Sequence, residues 1–72
     1  MGGKDRVKIN LNGESHEVES GSNVSDLLQD LQITNPAVAV EINASIVTSN
    51  EFEQVTFKAG DVVEIVSLVG GG

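Results

Sequence analysis

One stretch near the middle of the chain restricts its fold most, because it shows the spacing of a single amphipathic helix. Between residues 24 and 31, valine and leucine recur at positions i, i+3, i+4 and i+7, which places them on one helical face. We expect Asn23 to cap this helix, since its side-chain oxygen can accept hydrogen bonds from first-turn amides. Asp26 would lie near the positive end of the helix dipole. Residues 33–36 are expected to end the helix, because a residue that precedes proline disfavours helical angles.

The residues before the helix predict a β-hairpin. Val7, Ile9 and Leu11 alternate with polar residues, as in a strand with one buried face. Asn12-Gly13 then favours a type I′ turn. Residues 14–19 read as a second strand, and their charges suit the edge of a sheet, where they discourage unwanted strand addition.

The residues after the helix predict two short strands, a long connection and a final strand. The predicted segments are a third strand at 38–42 in the sheet interior, a turn at 43–44, a short fourth strand at 46–47, a loop with one helical turn at 48–54, a turn at 58–61 and a last strand at 62–69. Phe52 and Val55 are expected to anchor the connection to the core.

This order of elements predicts the α+β class and, within it, the β-grasp (ubiquitin-like) fold: a mixed sheet of four to five strands with one main helix. The last strand is expected beside the first at the sheet centre. The predicted division is a flexible N-terminal extension at 1–6, the domain at 7–69 and a flexible glycine tail at 70–72.

Composition restricts the classes of partner. Eleven acidic residues against four basic ones give a net charge of −7, which argues against binding nucleic acid and favours a partner with a basic surface. The alternative is that acidity only keeps the protein soluble. No cysteine is present, so disulfides, a thiolate nucleophile and a Cys-ligated metal are excluded. No apolar run approaches the ~20 residues that a membrane span requires, and no secretion signal is visible. We therefore expect a cytoplasmic protein without membrane contact.

The segment Gly70, Gly71 and Gly72 is the candidate reactive site. Glycine lacks a Cβ, so such a segment presents a slim carboxylate end that fits a narrow channel in another protein. The alternative is a frayed terminus or a cloning remnant. His16, the single histidine, lacks a nucleophile nearby in the sequence and is expected to lie at the surface.

The last strand also predicts a docking surface. If Val63 faces the core, then Val62, Val66 and Leu68 fall on the opposite face, which no helix covers. Apolar residues beside a reactive tail would form a contact for a partner. The alternative is that strand twist or the loop around Phe52 covers them.

The chain resembles the ubiquitin-like sulfur carriers, and most closely the ThiS-type carriers of thiamine thiazole synthesis. The resemblance covers residues 7–72, and it is carried by four segments: VSDLLQDL (24–31), VAVEINASIV (38–47), GDVVE (60–64) and VGGG (69–72). It implies a carrier, not an enzyme, with no bound cofactor and monomeric when free. It also implies that Gly72 is adenylated with ATP and Mg²⁺ by an E1-like adenylyltransferase and converted to a thiocarboxylate.

The resemblance further implies a sulfurtransferase or cysteine desulfurase as sulfur source and a thiazole synthase as acceptor. The nearest alternative is the small subunit of molybdopterin synthase, which shares the fold, the tail and the activation chemistry. A ubiquitin-like protein modifier and a non-catalytic interaction module with incidental glycines are further alternatives.

Overall fold

The computed structural model describes residues 5–35 and 37–68. Within them the chain forms five strands, one α-helix and one short 3₁₀ helix. In chain order these are β1 (Arg6–Leu11), β2 (Glu14–Glu19), α1 (Val24–Asp30), β3 (Val38–Ile42), β4 (Ser45–Val47), the 3₁₀ helix (Ser49–Glu51) and β5 (Val62–Ser67). Every predicted element is present, although β1 begins at Arg6, one residue inside the predicted extension, and β5 ends at Ser67, short of the predicted end at residue 69.

The five strands form one mixed sheet in the order β2-β1-β5-β3-β4. β5 runs parallel to β1 and antiparallel to β3, whereas each hairpin pairs antiparallel. The structure confirms the predicted β-grasp arrangement: β2 lies at an edge, β3 lies inside, and the last strand lies beside the first at the centre.

The two hairpins turn through pairs of residues with positive φ angles. Asn12 and Gly13 have φ values of 49° and 87°, and Asn43 and Ala44 have values of 53° and 69°. Positive φ at both central positions is the property of a type I′ turn, whose twist matches that of the flanking strands. Both predicted turns are confirmed.

The two ends of α1 differ in how well the sequence predicts them. Asn23 is the N-cap as predicted, and its oxygen accepts a hydrogen bond of 2.7 Å from the Asp26 amide while the Asp26 carboxylate accepts one from the Asn23 amide. The C-terminal prediction is wrong: α1 ends at Asp30, not beside the proline. Gln32 adopts a φ of 60° and Ile33 bonds back to the Leu28 carbonyl, which is a Schellman motif.

The core lies between α1 and the inner face of the sheet. Its members are aliphatic apart from one phenylalanine: Ile9, Val18, Val24, Leu27, Leu28, Val40, Val47, Phe57 and Val63. A helix stripe and alternate strand residues supply nearly all of it. The periodicities of 3.6 and 2 that predict the elements therefore also predict the core.

The connection between β4 and β5 packs against the start of α1. The Val24 amide donates to the Val55 carbonyl, and the Ser25 amide donates to the Phe52 carbonyl. First-turn amides have no partner within a helix, so this loop satisfies them. Phe52 and Val55 are half-buried against the core as predicted, but the most deeply buried residue of the connection is Phe57.

Candidate functional site

The candidate site lies where β5 leaves the sheet. Five residue pairs, from Val38 opposite Ser67 to Ile42 opposite Val63, join β5 to β3. The Leu68 amide then donates to the Ala37 carbonyl at 2.8 Å. The backbone is thus hydrogen-bonded up to the last residue that the structure describes before the glycines. Gly70, Gly71 and Gly72 lie outside the described residues, as does Val69, and their predicted role stays a prediction.

The side chain of Asn12 holds the second half of β5. β1 ends at Leu11, where the chain turns away, yet the Asn12 oxygen accepts a hydrogen bond of 2.9 Å from the Ile65 amide. Its amide nitrogen donates to the Ile65 carbonyl at 3.4 Å. One side chain therefore takes the place of a strand residue and continues the parallel ladder toward the tail.

Asn43, from the other hairpin turn, holds the beginning of β5. Its side-chain oxygen accepts from the Val62 amide at 2.9 Å, and its side-chain nitrogen donates to the Asp61 carboxylate at 3.0 Å. The other Asp61 oxygen accepts from the Lys58 amide at 2.8 Å. Asp61 therefore organises the turn into β5.

The face of the sheet opposite α1 carries exposed apolar side chains. The exposed fractions are 46% for Val62, 54% for Val66, 66% for Leu68 and 67% for Ile46, whereas Val63 is fully buried. The predicted division of the last strand between two faces is confirmed, and the docking role stays a prediction. Ile46 is predicted to lie in a strand but is not among the predicted docking residues, although its alternation with buried Val47 carries that signal.

Two carboxylates lie within this open face. Glu41 on β3 is directly opposite Glu64 on β5, and Ile46 on β4 is opposite Glu41 on its other side. The next pair on the same face of these two strands is Ala39 opposite Val66. The open face therefore combines apolar side chains with a concentrated negative charge.

The remaining candidates lie elsewhere. His16 is half-buried beside Ile9 on the helix-facing side of β2, contrary to the predicted surface position, and its Nε2 atom is shielded from solvent. A cleft of about 580 Å³ between β2 and α1 is lined by four carboxylates among other residues and contains no residue of β5. No group of metal-binding side chains occurs in the described residues. None of the helices described there could cross a membrane.

The fold and the site define a β-grasp domain whose central strand leads into a glycine segment. Comparison with known proteins narrows this class. The ThiS family model matches residues 5–72. The chain is 35% identical over 65 residues to the sulfur carrier protein ThiS of Bacillus subtilis, covering 89% of this chain and 98% of that protein.

A solved structure agrees with this match. The crystal structure of the thiamine biosynthesis protein ThiS from Geobacter metallireducens superposes with a TM-score of 0.75 at 32% identity, covering 92% of this chain and all of that one. The chain belongs to the ThiS family.

A further relative is much longer. The thiazole synthase of Magnetococcus marinus is 38% identical over 66 residues, which cover 92% of this chain. The chain spans about a fifth of the length of that relative, since the match covers 20% of it.

Proposed function

We propose that this chain is the sulfur carrier of thiazole formation in thiamine biosynthesis, and that Gly72 carries the sulfur as a C-terminal thiocarboxylate. The observation that carries the proposal is the match to the ThiS family over residues 5–72. The geometry of β5 supports it, because this central strand is paired on both sides and ends at Ser67, three positions before Gly70 in the sequence.

The chemistry requires activation, since a carboxylate is a poor electrophile. An E1-like adenylyltransferase uses ATP and Mg²⁺ to convert the Gly72 carboxylate to an acyl-adenylate, with pyrophosphate as the leaving group. A persulfide from a sulfurtransferase or cysteine desulfurase then attacks the acyl carbon and releases AMP. Cleavage of the sulfur–sulfur bond by a thiol leaves the thiocarboxylate. A chain without cysteine therefore holds sulfur in place of a carboxylate oxygen.

The carrier itself acts as a substrate and supplies no catalytic acid, base or metal. Gly70 and Gly71 give the reach and the slim profile that an active-site channel requires. A thiazole synthase receives the sulfur and regenerates the carboxylate. The similarity to part of the Magnetococcus marinus thiazole synthase supports such a partner.

The apolar residues of the open face form the docking contact in this proposal. Val62, Val66 and Leu68 lie on or next to β5, and all three are exposed. An enzyme that receives the tail also approaches the strand that precedes it. Burying this patch would supply association free energy of about 25 cal/mol per Å² of apolar surface before the costs of association.

The alternatives predict different products. A small subunit of molybdopterin synthase would form the same thiocarboxylate but deliver it to another enzyme, and the ThiS family match favours the thiamine branch. A protein modifier would form an isopeptide bond with a lysine. A non-catalytic interaction module would leave Gly72 unmodified.

The test is intact-mass spectrometry after incubation with an E1-like adenylyltransferase from the same organism, ATP, Mg²⁺ and a sulfur source. We expect a mass gain equal to one sulfur minus one oxygen. A chain lacking Gly71 and Gly72 is the control, and it should fold equally well but gain no mass. An unmodified wild type, or equal gain in the truncated chain, would disprove the carrier mechanism.

Delivery is tested next, by adding the thiocarboxylate form to thiazole synthase with its other substrates. Thiazole formation with return of the carrier to its original mass is the expected result. A stable adduct with another protein would instead support the modifier.

A further inference from the structure

We propose that the opposed carboxylates of Glu41 and Glu64 form a recognition site for an arginine guanidinium of the adenylating enzyme. The proposal rests on the proposed function and adds a specificity determinant to it. The site is a charged centre within the apolar patch, and it distinguishes the correct enzyme from proteins that offer only an apolar surface.

The two carboxylates are neighbours across the central strands. Glu41 and Glu64 are direct partners in the antiparallel register of β3 and β5, a position in which Cβ atoms lie about 5 Å apart. Both side chains project from the open face, since Val40 and Val63 beside them are buried on the other face. Exposed Val62 and Val66 flank Glu64 along β5, and exposed Ile46 lies beyond Glu41.

This pair costs the isolated domain free energy. Like charges directly opposite each other in a sheet are destabilising. Within residues 5–35 and 37–68, no basic side chain forms an ion pair with Glu41 or Glu64. Arg6 and Lys8 lie on β1, opposite the β2 residues Glu19 and Glu17. A cation supplied by another molecule would therefore relieve the repulsion between these two carboxylates.

A guanidinium fits this pair better than an ammonium. Its planar set of N–H donors can bond two carboxylates at once, and it is more weakly hydrated than an ammonium. Docking would surround the ions with apolar side chains, where an unpaired carboxylate is costly. The same residues that strengthen binding to the correct partner thus penalise a partner without the cation.

Among the proposed partners, the adenylating enzyme depends most on recognising the open face. Before activation, the tail offers glycines and a carboxylate, with no side chain that identifies the carrier. Recognition must therefore come from the folded domain. An extended chain spans at most about 3.6 Å per residue. The segment from Glu64 to Gly72 is therefore short enough for one enzyme to contact the Glu64 carboxylate and Gly72 at the same time.

The test compares Glu41→Gln and Glu64→Gln with Glu14→Gln. All three substitutions remove one negative charge, but Glu14 is exposed near the hairpin turn and outside the open face. We expect each open-face variant to raise the Kd for the adenylyltransferase by about 30-fold or more, the effect of breaking a charge pair that docking encloses. Glu14→Gln should leave the Kd within about twofold, because Glu14 lies outside the proposed contact.

Stability provides the second readout. Because the substitutions relieve repulsion, Glu41→Gln and Glu64→Gln should keep or raise the urea midpoint while they weaken binding. A variant that loses its fold would show both a lower urea midpoint and weaker binding. Weaker binding together with an unchanged or higher midpoint therefore identifies a recognition role. A lowered urea midpoint that accounts for the weaker binding would overturn the proposal.

The remaining outcomes separate this inference from the proposed function. If wild type gains sulfur and both open-face variants bind as tightly as Glu14→Gln, the recognition site is disproved and the carrier function stands. If the variants bind the adenylyltransferase normally but fail to deliver sulfur to thiazole synthase, the site belongs to that partner and this proposal is overturned. If wild type is never modified, the carrier function itself fails.

Discussion

Two asparagines determine how β5 is held, and each performs two tasks. Asn12 and Asn43 both begin a type I′ turn with positive φ, a conformation that asparagine tolerates better than most residues. The same side chains then bond to β5, at Ile65 and Val62 respectively. Turn formation and anchoring of the strand that leads to the tail are therefore coupled at single residues.

Replacing either asparagine with glycine separates these tasks. Glycine keeps the turn, because it accepts positive φ, but it removes the side-chain bonds. We expect Asn12→Gly to cost about 1 kcal/mol and to speed amide exchange at Ile65 more than at Val62. Asn43→Gly should show the reverse order. Equal effects at both amides in both variants would contradict the separate anchoring roles.

The C-terminus of α1 is determined by the backbone geometry of the residues that follow it. α1 stops at Asp30, and the chain reverses through Gln32, whose φ of 60° lies in the left-handed region. That region costs a non-glycine residue roughly 1 kcal/mol. The bond from the Ile33 amide to the Leu28 carbonyl, at 2.9 Å, offsets this cost together with packing of Ile33 against the core.

Gln32→Gly should therefore stabilise the domain by about 0.5 kcal/mol, because relief of the left-handed strain exceeds the added entropy of the unfolded chain. Gln29→Gly is the matched control. It places glycine at an exposed position inside α1, where it should cost about 0.5–1 kcal/mol. Urea denaturation of both variants measures the difference, and destabilisation by Gln32→Gly would show that the glutamine side chain contributes more than its strain costs.

At the scale of the whole molecule, one helix covers only one face of the sheet. The buried face contains the core, whereas the open face leaves Val62, Val66, Leu68 and Ile46 exposed beside two carboxylates. Stability and recognition thus use alternate residues of the same strand. A substitution on β5 should affect one or the other according to its position.

Val66→Glu and Val63→Glu test this division. Val66 is exposed, so its replacement should change the free energy of unfolding by no more than about 0.5–1 kcal/mol but weaken adenylation by the partner enzyme. Val63 is fully buried, and a buried unpaired charge should cost about 3–5 kcal/mol and unfold much of this small domain. Circular dichroism and the adenylation rate distinguish them; normal adenylation of Val66→Glu would exclude a docking role for Val66.

The element types and most of the core could be predicted because their signals are local. The alternation from Val7 to Leu11, the helical spacing after Asn23 and the Asn12-Gly13 turn each depend on neighbouring residues. The order of these elements also predicted the β-grasp topology, and the family resemblance added the chemistry expected at Gly72. The C-terminus of α1 was mispredicted, because the proline rule outweighed a glutamine in the left-handed region, a conformation that residue type does not favour.

Only the tertiary structure decided the arrangements that join distant segments. Asn12 and Ile65 are 53 residues apart in the chain, and the pairing of Glu41 with Glu64 depends on the register of β3 against β5. The burial of Phe57 likewise depends on how the connection packs on the core. The sequence alone determined which residues favour helix, strand or turn, since these preferences arise within a few residues. Strand register and loop packing depend on burying all apolar faces at once, and that condition is met only by the assembled chain.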